Sequence, residues 1–210
     1  FALSILKIKG SKMIISLSIL AVLIAIIFYI ISIYNRLVEL SNRAKGAFAQ
    51  IDVQLKRRYD LIPNLIEVAK KYMQHEKETF LGVTNARNYA KSTLEAAAQN
   101  ADAKNIAKLN NAESSLLGSL KGLNIQMEAY PELKANETMM QLNDELSSTE
   151  NKIAFARQSY NDSVMNYNVF KQSFPCNIVA GFFTKYRDDM GMLEFNEDRK
   201  TLENAPKVEF

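Results

Sequence analysis

Three consecutive basic residues, Lys56, Arg57 and Arg58, are followed closely by Asp60 and Pro63. Consecutive residues on a helix turn by about 100°, so the three cations fan over roughly 200° and cannot all lie opposite an apolar stripe. Lys56 precedes Asp60 by four residues and Glu67 precedes Lys71 by four, the spacing of surface ion pairs that contribute only a few tenths of a kcal/mol. Arg58 flanks the stripe and is expected to reach a carboxylate on a neighbouring helix. Glu150 is the candidate, because a guanidinium–carboxylate fork is geometrically specific. An intra-bundle polar clasp of Arg57, Arg58, Asp60 and Glu150 around Pro63 is preferred over a contact with a partner or a solvated surface.

The remaining reactive residues argue against catalysis. His75-Glu76 begins like a zinc-protease helix, but "HEKET" has no second histidine four residues on, and helix-junction residues are the expectation. One Cys and one His in 210 residues leave no disulfide framework, no cysteine metal cage and no two-histidine site. Cys176 has no visible base beside it. No catalytic, metal-binding or cofactor-binding residue is therefore expected, and the chain reads as non-enzymatic. A net charge of +3 with 23% charged residues gives no case for nucleic acid. Gly118 and Gly122 have the small-xxx-small spacing of close helix packing. Thr149-Glu150-Asn151 and Tyr160-Asn161-Asp162 put polar groups beside an apolar seam, where they are expected to fix register through buried hydrogen bonds.

The elements carrying these residues are helical throughout. Few Gly and Pro interrupt the chain. "MIISLSILAVLIAIIFYIISI", from Met13 to Ile33, has no charged residue and matches the ~20 residues that cross a ~30 Å hydrocarbon core. A signal-peptide core is shorter and ends at a small-residue cleavage site. A retained single-pass helix is expected, with Met13, Leu17, Leu20, Leu23, Ile27, Ile30 and Ile33 in the bilayer and residues 1–12 as an extension. Lysines before the span balance the basic residues after it, so the positive-inside rule gives a tie. A start at Met13 would place the bundle in the cytoplasm, and that side is preferred.

Beyond the span, Leu37, Leu40, Ala44, Phe48, Ile51, Leu55, Tyr59, Ile62, Ile66, Ala69 and Met73 alternate in steps of three and four. Proline clashes with the carbonyl of Tyr59. Asp60 could N-cap a new helix there, but the unbroken stripe favours a bend in one long helix. A shorter helix carries Phe80, Val83, Arg87 and Ala90, and "STLEAAAQNAD" (92–102) is expected to turn. A third helix shows Ile106, Leu109, Leu116, Leu120, Leu123, Met127 and Tyr130, ended by Pro131. A fourth runs from Met139 to Phe174 over about five heptads and stops at Pro175. The fold expected is all-α, a transmembrane helix running into an antiparallel four-helix bundle of long helices over 34–174. The span and first helix together make a rod of roughly 90 Å. At the start of the final segment, 175–210, Ile178, Val179, Phe182 and Phe183 form with the preceding Phe174 an apolar cluster suited to its own bundle, the membrane surface or a neighbouring subunit. Terminal "APKVEF", with Val208 and Phe210, is a candidate for strand addition or capture by a partner.

"YNRLVEL", "QIDVQLKRRYDLIPNLIEVAKKYMQHEKETF", "AYPELKANETMMQL", "ELSSTENKIAFARQSYNDSVMNYN", "SFP" and "APKVEF" resemble the LemA family in order and spacing, from Tyr34 to Phe210. Cys176 and the segment 184–201 depart from the family pattern. The resemblance implies a bacterial protein anchored in the cell membrane with a helical bundle and no established catalysis. It also implies an association with membrane quality control and an HtpX-type zinc protease. The functional expectation is a scaffold or interaction protein that forms homo-oligomers through its bundle and C-terminal segment, bound to the lipid bilayer. An adaptor or regulator of a membrane protease is the alternative.

Overall fold

The computed structural model describes residues 2–194, with side chains from Ile14 onward. The N-terminal helix α1, Ala2–Lys70, runs 69 residues without interruption, ~100 Å at 1.5 Å per residue. From residue 14 to residue 32 every residue is exposed, among them Leu17, Leu20, Leu23, Ile27 and Ile30, and this part of the helix is long and apolar enough to cross a membrane. The side chain of Met13, and Val208 and Phe210 altogether, lie outside the described residues. Ile33 differs from the other spanning candidates. It is buried against the base of the bundle with Val179 and Ala180 rather than exposed.

From Leu37 on, the apolar stripe of α1 is buried at every expected position through Met73. Helix α1 continues unbroken through Asp60 and Pro63, so no new helix starts there. Helix α2 spans Lys77–Gln99 and narrows the turn expected at 92–102 to residues 100–102. "LEAAAQ" is built of strong helix formers, and the helix buries Thr93, Leu94 and Ala97, so small residues here mark close packing rather than a loop. Helix α3, Ala103–Met127, begins where the Asp102 carboxylate accepts from the Asn105 N–H at 2.7 Å. Pro131 opens a one-turn helix α4, Pro131–Lys134, at the first position, where its missing N–H costs nothing. Helix α5, Glu137–Gln172, is capped by Asn136, which accepts from the Met139 N–H at 3.0 Å. Helix α6, Cys176–Phe182, and a 3₁₀ turn at Thr184–Tyr186 follow, in a segment whose sequence shows no periodicity.

Helix α1 packs along α5, α2 packs along α3, and α1 touches α2. Short connections make each long helix antiparallel to the next and so α5 antiparallel to α1, and one apolar core joins all four long helices. Among the described residues α3 and α5 do not close directly on each other. That fourth side opens as a groove.

Candidate functional site: a buried ion cluster and a strapped groove

Arg58 lies at the centre of the bundle, fully buried. Its Nη1 donates to Oε1 of Glu150 on α5 at 2.6 Å, and its Nη2 pairs with Glu113 on α3. Glu113 is fully buried as well, whereas the Glu150 side chain is 40% exposed. The Tyr59 hydroxyl donates to Glu113 Oε1. Burial pushes the Tyr59 phenol well above its ordinary value against the opposing pull of the Arg58 charge, so it stays a donor. Two carboxylates thus face one guanidinium, and the second of them reaches water. A buried charge needs this degree of pairing, because an isolated one would cost several kcal/mol.

The sequence brings Arg58 and Glu150 together but passes over Glu113. The signal was present: the stripe of α3 jumps seven residues from Leu109 to Leu116, and Glu113 fills the missing step. Arg57 and Asp60 stand apart from this centre. Arg57 reaches Glu145 at 3.6 Å with both side chains half-exposed. Asp60 lies 3.8 Å from Arg87 of α2. Lys56 pairs backward with Asp52 at 2.7 Å, not forward with Asp60.

Arg87 explains how α1 survives Pro63. A proline leaves the carbonyl four residues earlier, that of Tyr59, without its helical donor. Arg87 Nε donates to the Tyr59 carbonyl at 3.0 Å, so a side chain of α2 replaces the missing backbone bond.

The second assembly lies in the α3–α5 groove, where residues Met190–Glu194 form a strap. Asn168 donates to the Met190 carbonyl and accepts from its N–H, both at 3.0 Å. Asn161 does the same for Leu193, both at 2.9 Å. From the opposite wall Asn110 donates to the Met192 carbonyl and accepts from the Glu194 N–H, both at 3.1 Å. The Tyr160 hydroxyl donates to the Gly191 carbonyl at 2.9 Å. Tyr160 and Asn161 were expected to fix helix register; they hold the strap instead. Gly191 is required by close approach, since a Cβ there would lie 3.0 Å from Ala103 Cα and Ile106 Cβ. Thr149 hydrogen-bonds back to the Glu145 carbonyl at 2.7 Å and makes no bridge between helices.

At the base of the bundle, α6 packs on α1 beside the end of the spanning segment. Phe174, Ile178 and Phe182 are exposed there, and the Phe183 ring lies 4.8 Å from that of Tyr34. Val179, expected in the same exposed cluster, is buried because it faces α1. Cys176 is buried in the same cluster. Gly118 and Gly122 do not serve close packing: a Cβ at either would meet nothing within 4 Å.

Among the described residues no three His, Cys, Asp or Glu side chains are grouped to hold a metal ion. The fold and site define a class, an all-α bundle on an apolar helix of membrane-spanning length, braced by a buried ion cluster. The chain belongs to the LemA family, whose sequence profile matches residues 47–210. It is similar to Protein LemA of Metamycoplasma hominis, 27% identical over 156 residues that cover 73% of this chain and 67% of the relative. It is also similar to Magnetosome protein MamQ of Magnetospirillum gryphiswaldense, 24% identical over 188 residues, 80% of this chain and 68% of that one. Magnetosome protein MamQ 2 of Paramagnetospirillum magneticum is 24% identical over 187 residues, 81% of this chain and 68% of its own. None of these names denotes an enzyme, and a membrane-associated, non-enzymatic protein fits them.

Proposed function

We propose that the chain is a membrane-anchored scaffold whose copies associate side by side, through the outer face of α5 and the apolar patch of α6. One observation carries this reading. Met140, Phe155, Met165 and Val169 of α5 are all half-exposed or more and fall within about 80° of one another at 100° per residue. Val53 of α1, also exposed, lines a shallow depression with Phe155. The stripe extends over ~43 Å of helix, and Phe174, Ile178 and Phe182 prolong the exposed apolar surface to the base of the bundle. An apolar strip of this length, flanked by polar residues, supports a protein contact rather than a solvated face.

A spanning helix favours such contacts by confining copies to one plane with a shared orientation, which raises their effective concentration. The α6 patch lies level with the end of the span, where exposed phenylalanines meet either the bilayer interface or the α6 of a neighbour. In the test, the full chain is extracted in mild detergent and its protein mass compared with that of Phe155→Glu and Val169→Lys variants. The scaffold reading expects a species several times the 23.8 kDa monomer that the substitutions dissociate while helix content holds. A single copy joined to a different membrane protein, unaffected by the substitutions, would favour the adaptor role instead.

A further inference from the structure

The exposed stripe of α5 is not purely apolar. Asp144 and Asp162 fall within the same ~80° of helix surface as Met140, Phe155, Met165 and Val169. Both aspartates are exposed, and neither joins an ion pair among the described residues. No basic residue of α5 lies in that sector. Two identical α5 faces related by a two-fold axis would set each aspartate against its own copy, and like charges across a contact are costly.

The outer face of α3 has the opposite character. Lys104 and Lys121 lie within about 60° of the exposed Ile125. Both lysines are exposed and join no ion pair among the described residues. The single acid of α3, Glu113, is turned into the core. Ala107, Gly118 and Gly122 share the outer face, and within the chain a Cβ at either glycine would meet nothing within 4 Å. The face is basic and smooth.

The two faces also match in level. Near the base, Asp102 bridges Met190, which Asn168 holds, and Asn110 grips the residues on either side of Leu193, which Asn161 holds. Lys104 therefore stands level with the stretch of α5 between Asn161 and Asn168, which contains Asp162. Farther from the membrane, Lys121 lines one cavity with Asn143 and Ser147, the stretch that contains Asp144. The spacings agree: 18 residues separate the aspartates and 17 the lysines, rises of ~27 Å and ~25.5 Å.

Resting on the scaffold reading above, we propose that the α5 stripe of one copy docks on the outer α3 face of the next. Asp162 meets the neighbour's Lys104, and Asp144 meets its Lys121. Helical side chains lean toward the start of their own helix, which carries the Phe155 ring over the neighbour's Ser114 and Gly118. Copies in a bilayer share one orientation, so these pairs form without a shift along the membrane normal. A contact between unlike faces leaves one face of each kind free in every pair. It therefore repeats into a ring or row of more than two copies in the membrane plane.

The test cross-links the full chain in native membranes, in a Cys176→Ser background, with a short bismaleimide. Phe155→Cys with Ser114→Cys is expected to give a ladder of covalent species beyond the dimer, and Phe155→Cys alone to give none. Particle mass is measured on the same variants. Covalent dimers from Phe155→Cys alone, or an associated mass without the ladder, would overturn the proposal and leave the scaffold reading standing. Single copies throughout would remove both. In the charge test, Asp162→Lys is expected to lower the associated fraction on the order of tenfold. Lys104→Asp in the same chain should restore it, with helix content unchanged throughout. A double variant as dissociated as the single one contradicts the pairing.

Discussion

At the scale of single residues, the account rests on Arg58. Removing one member of a fully buried ion cluster strands the others, so Arg58→Ala is expected to cost about 3–5 kcal/mol in denaturant unfolding followed by circular dichroism. The combined substitution Arg58→Leu, Glu113→Leu, Glu150→Ala with Tyr59→Phe should recover most of that loss, since neither a charge nor the hydroxyl that donates to Glu113 is then left unpaired. Arg57→Ala, two half-exposed partners at 3.6 Å, should stay within ~0.5 kcal/mol. Equal costs for Arg57 and Arg58 would remove the cluster from the account. Burial also holds the phenols of Tyr59, Tyr160 and Tyr167 above their ordinary value of 10.0, Tyr167 at about 12. The unfolded chain therefore loses these protons first. Their contribution is intact below pH 10 and declines as pH rises through 12. Alkaline titration should show the last three of the nine phenolates forming only together with helix loss, above pH 10. Ionisation of all nine tyrosines near 10 without unfolding would contradict the buried hydroxyls. Arg58 and Glu150 were legible because each flanks a periodic apolar seam, where a charge needs a partner. Glu113 was equally legible in principle, but an apolar count steps over the very residue a buried cation requires.

At the scale of elements, Pro63 and Arg87 form a unit. Arg87→Met leaves the buried Tyr59 carbonyl without a donor, at a cost of about 1–3 kcal/mol. In a Pro63→Ala background position 63 regains its N–H and bonds that carbonyl itself. The cost of Arg87→Met should then shrink to under about 1 kcal/mol. A cycle in which the two substitutions simply add would show that Arg87 does not stand in for the missing bond. The long seams of α1, α3 and α5 were readable because a three–four alternation admits one element type. The C-terminal half of α2 was not, since alanine-rich helix and small-residue turn look alike until Leu94 and Ala97 are seen buried. The strap was beyond reach for a different reason. It has no period of its own, and its partners Asn110, Asn161 and Asn168 declare themselves only when an irregular chain lies between them.

At the scale of the whole molecule, three surfaces remain beyond the core: the spanning half of α1, the patch of α6 beside its end, and the stripe from Met140 to Val169. The first two were marked by uncharged or apolar runs. The stripe was hidden because its residues are spread over α5 among polar neighbours, outside the seam that faces α1. Under the proposed scaffold all three surfaces serve partners within the plane of a bilayer, and contact is the activity to test. The central claim is self-association in the membrane. Its most direct test is the protein mass of particles carrying the full chain, cut from native membranes with a polymer that keeps lipid in place. Several copies of the 23.8 kDa chain per particle, reduced to one by Phe155→Glu with Val169→Lys, is the predicted result. One copy per particle at every expression level, with or without those substitutions, would contradict it.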